Sequence, residues 1–520
     1  MEESRTINSA RNIVVNVSSQ FLAMALRFIA RTVFIHYLSV EFLGVNGLFS
    51  NVLSMLTLAD LGITSALNYS LYKPIRENDQ AQIKKLMNYF QKVYLIIAGF
   101  VLGIGLSLVP FLHLIVNLDN AVPYIRVYYV LMLLGVVMSY LFVYKSSLVI
   151  ASQKEYLVAQ ITIFTQILRT VVQIGVLVLY RNFALYLIVQ IVVEFIDNLI
   201  VSHTANRIYP FLKNNHEKLA KQQRRRILED IKSIFVYRFG SIIMSNTTDI
   251  FISVMIGTIY VGYYSNYIMI VGSISTMLDL LFKSLSASIG NKNAAQSESG
   301  KQNIFQLAAF AYQWLIGFST VSFFILLTPF IRLWLGEKFV LSGLIVFAVA
   351  LQFFITGLMS VTAIYRDTTG IFKETKYAYL AAAALNLLFG FVFGKFWGIA
   401  GILLGASLAK LLTAFWFEPK ILFQYYFKSP IWPYFKSVLR CAIVTVVEAA
   451  LLFGLSQWLS LSGISGLIIQ MILCVVVVNG GNLLVYRNDA DFKQLMGYLE
   501  FIWIAFINKI GLLKYGKEKE

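Results

Sequence analysis

Two arginines one helical turn apart open the chemistry of this chain. Arg27 and Arg31, in "MALRFIARTVF", stand in the middle of an apolar run from about Ile13 to Leu38 that is long enough to cross a bilayer. A guanidinium at the centre of a membrane helix costs roughly 2.5–3.5 kcal/mol on insertion scales. No acidic residue lies within four positions of either to offset that cost. Two guanidinium forks about 6 Å apart along one helix face suit a multiply charged anion such as a phosphate ester, which they bind bidentately while remaining charged. Other chemistries find no support. "GFVFGKF" (390–396) has the wrong spacing for a phosphate loop, and neither a Walker A, an HExxH nor a paired-cysteine motif occurs. The four histidines (His36, His113, His203, His216) are scattered. The chain does not read as an enzyme, and no metal or resident cofactor is expected.

Residues three, four or seven apart share a helix face, and on that basis the polar residues fall into stripes. Asn16, Gln20, Arg27 and Arg31 form one. Ser50, Ser54, Thr57, Thr64 and Asn68, with Asp60 beside them, form a second. Arg238, Ser241, Ser245 and Asp249 make a third, and Gly272, Thr276, Asp279, Lys283 and Ser286 a fourth; Gln166, Arg169 and Gln173 add a shorter one. Ionisable groups at membrane depth face a bundle interior or a wet cavity, so these faces are expected to line a polar chamber. Simpler roles compete for individual residues. Asp279 and Lys283, at i and i+4, can neutralise each other. Glu194 and Asp197 can meet nearby basic loops, and Lys92, Lys145 and Lys410 can snorkel to the interface. Asp60, followed by Leu61 and Gly62, can mark a local break, and Glu448 reads as a packed, protonated carboxyl.

The elements that hold these stripes follow from composition. The chain has 520 residues, 58% of them apolar, only 13% charged, with a mean hydropathy of +0.72. Soluble domains carry about twice that charge. The expected fold is all-α and polytopic, with fourteen spans near 13–38, 43–70, 87–112, 124–149, 156–179, 183–205, 233–257, 261–289, 304–331, 341–365, 376–396, 398–417, 437–459 and 463–486. Cys441 and Cys474 both fall inside spans, so no disulfide framework or zinc site is implied. The first apolar segment is too long for a signal peptide and reads as retained. Net charge is +17. Most of the basic residues fall on one side if the N-terminus is cytoplasmic, with only Arg126, Arg181, Arg332, Lys338 and Lys395 outside. The positive-inside bias then puts both termini in the cytoplasm and removes nucleic acid as a partner.

The longest connection, about 206–232, contains "EKLAKQQRRRILEDIK" and divides the chain after six spans; it reads as an interfacial helix on anionic lipid. "EFLGVNGLFSNVL" and "IYVGYYSNYIMIV", at the starts of spans 2 and 8, align Gly44 with Gly262 and bring Asp60 within one residue of Asp279. The expected organisation is an N-terminal lobe (1–205), a basic cytoplasmic linker (206–232), a C-terminal lobe (233–417), two additional helices (418–487) and an amphipathic cytoplasmic tail (488–520).

The stretches "FLGVNGLFSNVLSMLTLADLGITSALNYSLYKPI" (42–75) and "YRDTTGIFKETKYAYLAAAALNLLFGFVFGKFWGIAGILLGASLAKLLTAFWFEP" (365–419) resemble bacterial polysaccharide flippases of the Wzx type. These belong to the multidrug/oligosaccharidyl-lipid/polysaccharide exporter superfamily. The resemblance implies two six-helix lobes related by a pseudo-twofold axis around a cationic cavity. It further implies movement of an oligosaccharide repeat unit on undecaprenyl diphosphate from the inner to the outer leaflet of the bacterial plasma membrane. On this reading Arg27 and Arg31 hold the diphosphate, with Arg169, Arg238 and Lys283 as further cavity cations. The two extra helices offer a groove for the lipid tail. Asp60, Asp249 and Asp279 are the carboxylates placed to couple transport to H+ or Na+. A polysaccharide polymerase and chain-length machinery would be the partners, in capsule or exopolysaccharide biosynthesis.

Three other readings compete. A lipid II flippase shares the diphosphate carrier. A cation-coupled multidrug antiporter would favour acidic cavity groups, against Arg27 and Arg31. A membrane glycosyltransferase or polymerase usually needs a large external loop, and every external loop here is short.

Overall fold

The computed structural model describes residues 5–57, 63–118, 122–212, 217–293, 298–369, 371–459, 461–497 and 500. Among them every regular element is helical: α1 (Arg5–Tyr37), α2 (Val40–Leu56), α3 (Ile63–Arg76), α4 (Gln80–Ser107), α5 (Leu112–Ile115), α6 (Ile125–Ser139), α7 (Val143–Ala151), α8 (Glu155–Tyr180), α9 (Phe183–Ile208), α10 (Lys221–Met255), α11 (Thr258–Asn293), α12 (Glu298–Leu335), α13 (Gly343–Thr369), α14 (Phe372–Leu412), α15 (Ala414–Leu422), α16 (Trp432–Trp458) and α17 (Gly463–Tyr486). Nine of the described spans are long and apolar enough to cross a membrane, and α6–α7, bent by 42°, makes a tenth. The chain is a multi-pass membrane protein.

One register relates the helix boundaries. The alignment of Gly44 with Gly262 carries Tyr37, which ends α1, onto Met255, which ends α10. It also carries Val40 onto Thr258, Gln80 onto Glu298 and Ile125 onto Gly343, each pair opening a helix. These boundaries agree with a six-plus-six duplication of the sequence.

Packing groups the chain into two compact units. The first comprises residues 1–277 and 372–414. In it α10 runs along α14, α1 packs on α8, and α8 on α9. The long helix α14 is two spans joined at Gly398, whose φ of 56° and ψ of −135° only glycine adopts readily. The arms fold back so closely that a Cβ at Gly401 would lie 2.0 Å from the Phe393 carbonyl oxygen, and one at Gly405 would lie 2.7 Å from the Phe389 carbonyl carbon. The glycines of "FWGIAGILLGAS" thus let two backbones touch where no hydrophobic force drives helices together. Gly390 receives the ring of Phe251 from α10 in the same way. The run "QQRRRILED" is part of α10 and continuous with its span, rather than a separate interfacial helix. At 1.5 Å per residue a helix of 35 residues exceeds the hydrocarbon thickness, so the charged turns can extend past the apolar section without a break.

The second unit comprises residues 278–371 and 415–520. Here α12 packs against α13, α16 and α17. Val321 and Ile325 of α12, Leu452 of α16, and Cys474 and Val478 of α17 form one apolar cluster. Arg366, only 2% exposed, donates to Glu418 at 2.9 Å and to Asp367 at 2.8 Å, fastening the end of α13 to α15. Both cysteines are free and buried. The tail from Phe501 and the break expected at Asp60 lie outside the described residues.

Substitution of Gly401 by alanine should cost about 1–3 kcal/mol by overpacking. Gly99→Ala, on a face with nothing within 4 Å, should leave stability unchanged or slightly raised, as read by thermal unfolding of the purified protein in detergent. Glu418→Ala, which removes one of the buried Arg366's carboxylate partners and leaves Asp367, should cost about 1.5–3 kcal/mol in the same assay.

Candidate functional site

Within the first unit, α2 and α11 cross at the two register-equivalent glycines. A Cβ on Gly44 would stand 2.1 Å from the Thr258 carbonyl oxygen, and one on Gly262 would stand 3.0 Å from Gly44 N. Residues equivalent in a duplicated chain meet each other only beside the axis that relates the copies. The turn between α10 and α11 is pinned nearby. Thr258 N donates to the Asn117 carbonyl (2.7 Å), Asn117 N donates to Thr258 Oγ1 (2.9 Å), and Ser253 Oγ donates to the Ile115 carbonyl (2.7 Å). Ser253 and Thr258 are fully buried, with hydroxyls 2.6 Å apart.

The polar residues of α1 and α10 reach across this crossing. Arg31 Nη1 donates to Ser265 Oγ of α11 at 2.9 Å. On α10, Asp249 accepts a short hydrogen bond from Asn51 Nδ2 of α2. The register that pairs Gly44 with Gly262 places Arg31 opposite Asp249, so the two halves make corresponding crossing contacts with groups of opposite charge. Arg27, one turn from Arg31, is exposed and bonds through Nε to the Ala23 carbonyl at 3.3 Å. Among the described residues no carboxylate pairs with Arg27 or Arg31, which leaves most of their N–H donors for an anion.

Arg169 differs. Its Nη1 lies 3.8 Å from Glu194 Oε2 of α9, and Asp197 accepts from Thr165 Oγ1 at 2.6 Å. These carboxylates therefore engage α8 within the span, where basic loops had been expected to meet them. Tyr186 of α9 lies within electrostatic range of both Arg31 and Arg169 and packs its ring on Phe34 at 5.3 Å. Asp279, in the second unit, accepts from the Tyr312 hydroxyl at 3.0 Å. The side chains of Arg238 and Lys283, and the whole of Asp60, lie outside the described residues. Lys145 donates to Ser202 Oγ at 2.7 Å, and Lys410 is buried, so neither simply snorkels into water. Among the described residues no group of three or more His, Cys, Asp or Glu side chains is placed to hold a metal ion.

Four contributors escaped the sequence reading: Asn51, Ser265, Tyr186 and Asn117. Asn51 was legible in retrospect, because Gly44, Gly47 and Asn51 lie at i, i+3 and i+7 on one face of α2.

No sequence-family model matches the chain, and no curated protein matches it in sequence. Solved structures do match its fold. A lipid II flippase, MurJ, in an inward closed conformation is similar at a TM-score of 0.64 and 16% identity, over 92% of this chain and 99% of that one. An inward-facing multidrug resistance MATE family transporter of the MOP superfamily gives 0.58 and 13%, over 79% of this chain and 98% of that one. The fold is of the MOP type. A Vibrio cholerae MATE transporter gives 0.53 and 14%, over 82% and 99%. The MOP-type fold accounts for the all-helical, multi-pass architecture.

The Arg31–Ser265 contact lends itself to a double-mutant cycle. Arg31→Met and Ser265→Ala should each destabilise the protein, and the double variant should fall short of additivity by about 1 kcal/mol, in keeping with a hydrogen bond to a charged group. Thermal unfolding of the four proteins in detergent measures it.

Proposed function

We propose that this protein is a flippase moving an undecaprenyl-diphosphate-linked oligosaccharide repeat unit from the cytoplasmic to the outer leaflet of a bacterial plasma membrane, for surface polysaccharide export. The observation that carries the reading is the state of Arg27 and Arg31: two guanidinium groups at membrane depth, on one face of α1, without a carboxylate partner among the described residues. A structural cation in this chain looks different, as Arg366 between Glu418 and Asp367 shows. A cationic pair without a carboxylate partner among the described residues suits a diphosphate, whose two phosphoryl groups each accept a bidentate fork. It does not suit a cationic drug.

In this reading both termini are cytoplasmic, and the α1–α2 and α10–α11 turns lie at the outer end. The Gly44–Gly262 crossing and the Thr258–Asn117 bonds then hold that end of the first unit together. Arg169, Arg238 and Lys283 would add positive potential along the path, and α16–α17 would serve the lipid tail. Asp249, hydrogen-bonded to Asn51 at the crossing, would be the carboxylate best placed to couple H+ or Na+ movement to opening, with Asp60 and Asp279 as further candidates. A polysaccharide polymerase and its chain-length machinery would take the delivered unit. Transport is the role this reading assigns, with the described polar groups laid out along helices.

A second reading, lipid II as cargo, is favoured by one observation: the MurJ structure matches 92% of this chain, against 79% for the inward-facing MATE transporter. It shares the carrier diphosphate and differs only in the glycan.

Proteoliposomes holding a labelled undecaprenyl-diphosphate oligosaccharide test the proposal. Wild type should move the lipid between leaflets, and Arg27→Ala/Arg31→Ala should lower the rate at least tenfold while remaining folded. The Lys/Lys variant should retain part of it, as a point charge without a fork. Movement of lipid II alone would select the second reading. Efflux of cationic dyes without movement of either lipid would overturn both.

A further inference from the structure

Glu448 of α16 belongs to the second unit and takes no part in the site proposed above. It is 4% exposed, and its Oε1 has no hydrogen-bond partner. The groups around it offer no charge to balance it. From α12, Gly317 approaches Thr445 of α16, where a Cβ would stand 2.9 Å from Thr445 Oγ1, and Gln313 bonds to Ser437 at 2.8 Å. From α17, Gly481 faces the carboxyl directly, and a Cβ there would be 2.6 Å from Glu448 Oε1. Among the described residues, the titratable groups in its electrostatic range are Cys441, two turns back on the same face of α16, and Tyr486 of α17. Arg440 and Asp489, the charged residues beside Tyr486, are bonded to each other, and the Arg440 guanidinium lies over the Tyr486 ring at 4.6 Å. Among the described residues no cation reaches Glu448.

A carboxylate in such a place would be an unpaired charge at membrane depth, without donors or counter-ion, whereas a carboxylic acid is merely a polar group. Oxygen and backbone can approach this closely only because position 481 has no side chain, and the Gly480–Gly481 pair leaves α17 free to part from α16 locally. We propose that Glu448 is a proton-binding site, and that its bound proton keeps α17 seated on α16. Loss of the proton to water would leave a carboxylate that must draw in solvent, and the glycine-lined contact is where the two helices would separate to admit it. The proton taken up comes from water and returns to it, so no other ligand is required.

Infrared difference spectroscopy on the full-length protein in lipid, titrated from acid to alkaline pH, reads the proton directly. Wild type should show a protonated-carboxyl C=O band at neutral pH that disappears on alkalinisation. Glu448→Gln should lose that band, and Glu448→Asp, as a check on folding, should keep it at a shifted frequency. Spectra of wild type and Glu448→Gln that superimpose at every pH would overturn the site. Bleaching of the band by sodium at constant pH would overturn it in favour of a metal cation. The packing half is read by labelling of Cys474 with N-ethylmaleimide at matched pH. The ratio of wild-type to Glu448→Gln labelling should rise several-fold as the band disappears, and a ratio of one throughout would overturn the link between proton and helix contact. Neither readout depends on which lipid the protein moves.

Discussion

The contact on which the first unit turns is the meeting of two backbones at Gly44 and Gly262. Within a bilayer, lipid tails are as apolar as leucine, and helices gain little by hiding apolar side chains from them. They gain from close packing, and the closest packing needs glycine: with a Cβ on Gly44 standing 2.1 Å from a carbonyl oxygen, α2 could not lie where it does. From this crossing the geometry of the neighbouring helices follows. Arg31 of α1 reaches Ser265, one turn along α11 from Gly262, and Asp249 of α10 meets Asn51, two turns along α2 from Gly44. Shifting the crossing by a residue would rotate each partner by about 100° and lose both contacts.

The cations of this protein separate by what they touch. Arg366 is nearly inaccessible, and its donors are taken up by Glu418 and Asp367, so its charge is accounted for internally. Arg169 is half-buried with Glu194 at 3.8 Å. Arg31 has one hydroxyl and Arg27 one backbone carbonyl. A guanidinium offers five N–H donors, so this order is also one of increasing capacity to bind something else. Desolvating a cation is costly, and the cost is tolerated where a partner is permanent or where binding a ligand supplies one. The pair on α1, which has no carboxylate partner among the described residues, is the one the proposed function draws on, rather than net positive charge.

Much of the fold was legible because a membrane leaves few options: every backbone group must be satisfied within its own segment, so apolar length and basic flanks place helices well. The paired glycines at 44 and 262 and the division between the spans near 376–396 and 398–417 were visible as sequence features before they were contacts. What was not legible depended on which face met which neighbour. Asn51 sits one residue from the stripe through Ser50 and Ser54, and a hydropathy pattern does not say which of the two faces is inward. Glu194 was close enough to a helix end to be assigned to basic loops, and only the packing of α8 on α9 gave it Arg169. The basic run before span 7 was read as lying in the interface because it is amphipathic, but nothing in "QQRRRILED" stops a helix, and α10 passes through it without interruption.

Duplication explains the geometry of the crossing but not its chemistry. Under one register Arg31 corresponds to Asp249, and Gly47 to Ser265. Each half sends a side chain from its first helix to the second helix of the other half, yet one contact carries a cation and the other a carboxylate. Two arginines, or two aspartates, at these equivalent positions would set like charges against one crossing. Divergence at this position resolves the conflict. It gives the axis one guanidinium and one carboxyl group, each held by a neutral side chain from the opposite half. A neutral holder matters, because serine and asparagine orient a charge without cancelling it, and a charge that is oriented but not cancelled remains able to act on a ligand.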